Sequence, residues 1–320
     1  MKSKVLLFGA TGTIGRAVFD ELNRRGVDVI CVLRAGSTSK LPQNASYLEA
    51  DVTDVASLNS LFEHHRFDAV ISCMASRNGA PTDAWTVDYQ ANSSALAAAK
   101  NAGVRQFILL SAICVQKPRL AFQHAKLAFE KELIDSGVTY SIVRPTAYFK
   151  SLSGQIKRVQ AGKPFLVFGD GLLTACKPIS NGDLARYIVS CLDDPAKQNK
   201  ILPIGGPGLE ITPLDQVAML EEVVGRKVKV REVPIALMNA IIGMLSVAGL
   251  FSAKARDRAN YARIGHYYAT ESMLVWDAEA RRYDADATPE FGTETLKEHY
   301  EAVLSGDARA DLGEHAIFAH

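Results

Sequence analysis

VLLFGATGTIG, residues Val5 to Gly15, joins an apolar run to a glycine-marked turn. Val5-Leu6-Leu7-Phe8 reads as a parallel strand buried on both faces. The run breaks at Gly9, and Gly9, Gly12 and Gly15 then recur three apart as the chain enters a helix expected to end near Arg25. Glycines let a backbone turn tightly and approach a pyrophosphate closely. The helix start offers free N–H groups and the positive end of a dipole. A glycine triplet between a strand and a helix is therefore a dinucleotide cradle, with Thr11, Thr13 and Ile14 filling the intervening positions.

Working outward, Asp28 to Leu33 (DVICVL) reads as the second strand. An acid at the end of that strand would hold the ribose 2′-hydroxyl of NAD. Here Arg34 follows, then Ser37, Thr38, Ser39 and Lys40. A guanidinium among hydroxyls welcomes a 2′-phosphate that a carboxylate would repel, so the expected cofactor is NADPH. The alternative is a solvated basic loop. Tyr47 to Val52 reads as a third strand, with Asp51-Val52 placed to border an adenine ring.

Strands and helices then alternate: a helix at Leu58 to Phe62, strand Asp68 to Ala75, helix Asp83 to Asn101, strand Gln106 to Ser111, helix Leu120 to Ser136 and strand Thr139 to Val143. That alternation predicts an α/β fold with a doubly wound parallel sheet, of Rossmann type. Residues 1–150 are the expected cofactor domain, 151–304 a smaller substrate-binding region over the strand ends, and 305–320 a loose tail. In the second region, strands at Phe165 to Phe168 and Ile201 to Ile204 mix with helices at Asn181 to Leu192 and Pro213 to Val224. Val233 to Ala253 holds no charge between its ends. It is long enough to span a bilayer, but Pro234, Asn239, Ser246, Gly243 and Gly249 favour one or two apolar helices. Those would line a large pocket, fill a core, or touch membrane lipid peripherally.

The 320 residues are 48% hydrophobic and carry a net charge of +1, which argues for a sizeable core and against nucleic-acid binding. Five cysteines lie far apart with no CxxC, the pattern of core residues in a reducing compartment, and no metal set is suggested. A first strand so close to Met1 makes the cytoplasm the expected location.

The glycine spacing, GxxGxxG, resembles that of short-chain dehydrogenases. Those reductases place a Ser, then Tyr-x-x-x-Lys, beside the nicotinamide. Ser111 and Lys126 stand at the matching positions, but Phe122 replaces the tyrosine. Phenylalanine cannot donate a proton, so simple carbonyl reduction is disabled. Hydride delivery to another group, or a binding protein without catalysis, both accommodate that change. His124, two residues from Lys126, points elsewhere on the helix and is left unassigned.

The stretches GATGTIG, SCMASRNG, LLSAICVQKP, FQHAKLAFE, YSIVRPTAYFKSL, FGDG, CKPIS, LPIGGPG and YYATESMLVWD, spread over residues 3–304, resemble the divinyl chlorophyllide a 8-vinyl-reductase family. The resemblance implies NADPH-dependent reduction of the 8-vinyl group of 3,8-divinyl (proto)chlorophyllide to ethyl, in (bacterio)chlorophyll synthesis at or near the photosynthetic membrane. Such a reaction forms no oxyanion, which suits the missing tyrosine. The expected catalytic residues are Lys126, Tyr148 and Ser111, with Tyr148, or a water held by Lys126 or Ser111, as proton source. Tyr148 as an ordinary packing aromatic is the competing reading. The expected cofactor-binding residues are Gly9, Thr11, Gly12, Thr13, Ile14, Gly15, Arg34, Ser37, Asp51, Val52, Lys126 and Pro145. A reductase of smaller substrates, or a non-catalytic NADPH sensor, would share the same fold.

Overall fold

The computed structural model describes residues 3–34, 36, 41, 45–77 and 79–306. In chain order they form β1 (Lys4–Phe8), α1 (Thr13–Arg24), β2 (Asp28–Leu33), β3 (Ser46–Glu49), α2 (Val55–His64), β4 (Ala69–Ser72) and α3 (Pro81–Ala84). A π-helical stretch, Trp85–Ala91, leads into α4 (Asn92–Asn101), β5 (Gln106–Leu110), α5 (Ala121–Asp135) and β6 (Thr139–Pro145). Then come α6 (Phe149–Leu152), α7 (Ile156–Gln160), β7 (Phe165–Phe168), α8 (Asn181–Ser190), β8 (Lys200–Ile204), α9 (Pro213–Val224), β9 (Val230–Val233) and α10 (Ile235–Ala248). Last are α11 (Ala253–Thr270), β10 (Val275–Asp277), β11 (Arg282–Asp284) and α12 (Leu296–Ser305).

The chain divides into two compact units. The first comprises residues up to Arg77, Pro81–Pro145 and Asn181–Pro203. Its sheet runs β3-β2-β1-β4-β5-β6-β8, and the pairings from β3 through β6 are parallel. This is the doubly wound order predicted from the alternation, reversing between β1 and β4, where ligands bind in such sheets. Val5, Leu6, Leu7 and Phe8 exclude solvent completely, as an uninterrupted apolar run in a central strand requires. β3, at the edge, is largely exposed and ends at Glu49, short of the expected Val52. Asp51 has turned out of line, its carboxylate accepting from Thr53 N at 2.9 Å and Thr53 Oγ1 at 2.7 Å.

The second unit comprises Thr146–Ser180 and the residues from Ile204 onward, with Asn78–Ala80. A single cut near residue 150 therefore misplaces one segment. α8 and β8 return to the first unit, where β8 adds the strand beside β6. The second unit has a core of its own, built on Phe149, Ile156, Phe165, Val217, Leu220, Leu296 and Tyr300. β9, unmarked in the sequence reading, pairs parallel to β7. The expected tail lies outside the described residues from 307 onward; Ser305 itself closes α12, which ends on a left-handed turn at Gly306 (φ 89°).

Two of the quoted family stretches interlock in this unit. Gly206 N donates to Lys177 O at 3.1 Å, Gly205 N donates to Pro289 O at 2.8 Å, and Phe291 N donates to Gly205 O at 2.9 Å. A Cβ on Gly206 would overlap the Pro178 carbonyl.

Val233 to Ala253 forms one helix, α10, and the turn into α11. Among the described residues no helix is long and apolar enough to cross a membrane. All five cysteines are free. Burial holds the thiols of Cys31, Cys73 and Cys176 up at about 12 and that of Cys191 at about 11.

Gly206→Ala should destabilise the protein by about 3 kcal/mol, because backbone and not a flexible side chain must yield. Gly243→Ala, inside α10 with nothing within 4 Å of the added carbon, should instead gain up to about 1 kcal/mol. Denaturant unfolding of both variants measures the contrast.

Candidate functional site

The glycine loop is built by contacts that leave no room for side chains. Gly9 takes φ +79°, and a Cβ there would lie 2.6 Å from the Cys73 carbonyl oxygen. A Cβ on Gly15 would overlap the Gly9 carbonyl. Gly12 N donates to Gly9 O at 3.0 Å to close the turn. Gly12 then precedes α1 with no side-chain cap, so the positive end of that helix dipole faces the loop with no side chain of Gly12 in the way. Thr11 and Thr13 are half-buried at the mouth, while Ile14 packs beneath it. The loop leaves β1 and touches the end of β4, at the point where the strand order reverses.

Arg34 follows β2 and is exposed, paired with no carboxylate among the described residues. Ser37 lies outside the described residues. Asp51 is exposed and Val52 half-buried beside the β2–β3 edge, and Pro145 is buried at the end of β6.

The helix stretch before α4 carries a residue the sequence reading missed. Asp88, 1% exposed, sits in the π-helical stretch and accepts from Lys126 Nζ at 3.0 Å. A π turn disrupts the helical ladder, and such turns recur at functional sites. Here Asn92 Nδ2 donates to Val87 O at 3.1 Å and to Asp88 O at 3.2 Å, while Ser72 Oγ donates to Asn92 Oδ1 at 2.6 Å. The opened turn is thereby tied to the end of β4. Asp88 Oδ1 also accepts from Ser76 N at 3.3 Å, and Oδ2 has no hydrogen-bond partner. Lys126 is itself buried, at 8% exposure, so it is no ordinary surface lysine. Its charge acts on Cys73 as well, but burial prevails and keeps that thiol protonated.

Phe122, one turn before Lys126 on α5, is half-buried, and His124 is exposed. Ser111 Oγ donates to the buried Glu130 carboxylate, which also pairs with Arg144, whose Nε donates at 3.2 Å. The serine hydrogen expected to face a substrate is thus engaged inside the protein. Tyr148 belongs to the second unit, half-buried just before α6, with its backbone bridged to Ile179.

The residues present fit a nicotinamide dinucleotide. The glycine cradle has the close approach a pyrophosphate needs. Asp88 Oδ2 is a buried acceptor without a donor, and Lys126 has N–H groups beyond the one given to Asp88, the complement of a ribose diol.

Comparison with known proteins bears on the same residues. A family model described as NAD(P)H-binding matches residues 9–195. The divinyl chlorophyllide a 8-vinyl-reductase of Arabidopsis thaliana is 47% identical over 97% of this chain and 79% of its own length. The chain belongs to the divinyl chlorophyllide a 8-vinyl-reductase family. The Cucumis sativus member of this family is 46% identical over 99% of the chain and 80% of its own length. Both relatives are chloroplastic by name. Among solved structures, an NADPH-dependent quinone oxidoreductase of Escherichia coli complexed with NADPH shares the fold at 19% identity. It has a TM-score of 0.66 and covers 94% of this chain and 99% of its own. This chain thus sets its glycine loop and buried lysine on a fold that it shares with that distant oxidoreductase.

Removing Asp88 alone strands a buried ammonium. Asp88→Ala should therefore cost about 3 kcal/mol or more in thermal or denaturant unfolding. The double change Asp88→Leu with Lys126→Met should recover most of that stability while weakening cofactor binding at least about tenfold, read by NADPH fluorescence titration.

Proposed function

We propose that this protein reduces the 8-vinyl group of 3,8-divinyl (proto)chlorophyllide a to ethyl with NADPH, as a step of chlorophyll or bacteriochlorophyll synthesis. The observation that carries the reading is near-full-length identity of 47% to a relative of that name. The site agrees with it. The cofactor-holding half of a short-chain reductase is retained in Gly9, Gly15 and Lys126, while Phe122 removes the phenol that a carbonyl substrate would need.

The glycine loop and the first turn of α1 would hold the pyrophosphate, and Asp88 with Lys126 the nicotinamide ribose. Arg34, exposed and unpaired by any described carboxylate, would take the 2′-phosphate. Bound NADPH would supply the hydride. Charge developing on a vinyl carbon spreads into the conjugated macrocycle, so the protein's share is orientation, exclusion of water and one proton. Ser111 is engaged with Glu130, and Tyr148 is the proposed source of that proton, with a water held by Lys126 as the alternative. In the second unit, a cleft of about 370 Å³ is lined by Phe168, Val233, Leu237, Met238, Ile241 and Ile242, with Arg258 and Tyr261. Its apolar wall suits an edge of a flat pigment, and Arg258 suits a carboxylate such as the pigment's propionate.

An anaerobic, dim-light assay with 3,8-divinyl chlorophyllide a tests the reading. Pigment should gain two hydrogens by mass with NADPH and far less with NADH. Arg34→Glu should raise the KM for NADPH by about tenfold or more while sparing NADH. Tyr148→Phe should lower kcat by about a hundredfold, and unchanged turnover would remove Tyr148 from the mechanism. Tight NADPH binding with no pigment reduction would overturn the whole assignment.

A further inference from the structure

One surface of the second unit is left unused by the reductase reading. α10 buries none of its residues, and its apolar stripe continues off the end of the helix into the turn before α11. Met244 is 66% exposed, Val247 64%, Leu250 78% and Phe251 90%. None of these four lines the apolar cleft, whose wall stops at Ile242 on this helix. The segment 234–253 holds no charged residue, and Lys254 and Arg256 follow immediately, both exposed. Neither pairs with a carboxylate among the described residues. The hairpin is braced, since Arg263 Nη2 on α11 donates to Ser246 Oγ on α10 at 2.7 Å.

We infer that the α10–α11 tip docks on an anionic membrane surface, with Leu250 and Phe251 entering the acyl boundary and Lys254 and Arg256 meeting the headgroups. The 14 residues of α10 reach only about 21 Å, short of the roughly 30 Å of a hydrocarbon core, so the hairpin lies in the interface and does not span it. An apolar tip next to unpaired basic residues is the arrangement that anionic lipid selects: apolar burial gives depth, and charge gives preference. A protein partner of neutral surface would leave Lys254 and Arg256 without a counter-charge. The inference does not depend on which pigment the protein reduces.

The test is co-sedimentation of the full chain with vesicles of phosphatidylcholine alone or mixed with phosphatidylglycerol. Binding should need the anionic lipid and weaken with added salt. Leu250→Ser with Phe251→Ser should reduce binding by about tenfold or more. Lys254→Gln with Arg256→Gln should weaken it about fivefold per charge removed on the anionic vesicles. All four positions are exposed, so unfolding midpoints should not move, and that measurement separates lost docking from lost fold. No binding to either vesicle, or binding indifferent to the tip substitutions, overturns the inference. So does a concentration-dependent dimer that the Leu250→Ser, Phe251→Ser protein no longer forms, which would assign the face to a second copy.

Discussion

Backbone packed against backbone at the end of β1 is the constraint on which the first unit rests. Gly9 lies so close to the Cys73 carbonyl, and Gly15 so close to Gly9, that any side chain at either position would force the strand and helix apart. That closeness brings the start of α1 over the reversal point between β1 and β4. The N-terminal end of the helix dipole and the floor formed by β4 then face the same space. A dinucleotide site here follows from steric exclusion first and hydrogen bonding second.

The polar groups around this floor are wired inward in two sets. One runs from Ser72 through Asn92 to the π turn that carries Asp88, and on to Lys126. The other ties Ser111 to Glu130 and Arg144. A usual short-chain reductase would aim its serine hydroxyl and a tyrosine at a carbonyl oxygen. Here the serine serves a buried carboxylate, and a phenylalanine fills the tyrosine position. The site has kept its grip on a cofactor and given up its means of stabilising an oxyanion, which is the change that reduction of a conjugated carbon–carbon double bond permits.

Much of the first unit was legible in the sequence because its signals are local. An apolar run, three glycines and regular alternation of strands and helices were enough to predict the sheet and the cradle. Asp88 was harder. It shares a helix face with Asn92, Ala95 and Ala99, all buried, and an acid on a buried stripe is a readable mark, but the π turn that aims it at Lys126 has no sequence signature. The return of α8 and β8 to the first sheet was also hidden. β8 is short and partly exposed, and its place beside β6 is set by pairing across some sixty residues, beyond the reach of local pattern. Ser111 illustrates a third limit: residue type and position matched a catalytic pattern, while the hydroxyl's partner, Glu130, lies on a different element.

The buried thiols carry a consequence of their own. A cysteine reacts with alkylating agents or peroxide as its thiolate, and burial in this protein suppresses that form at Cys31 and Cys191 in the first unit and at Cys176 in the second. These three sulfurs are therefore quiet toward electrophiles while the chain is folded. Each unit holds its own silent label, exposed only when that unit opens, so modification at Cys176 against Cys31 distinguishes breathing of one half from breathing of the other.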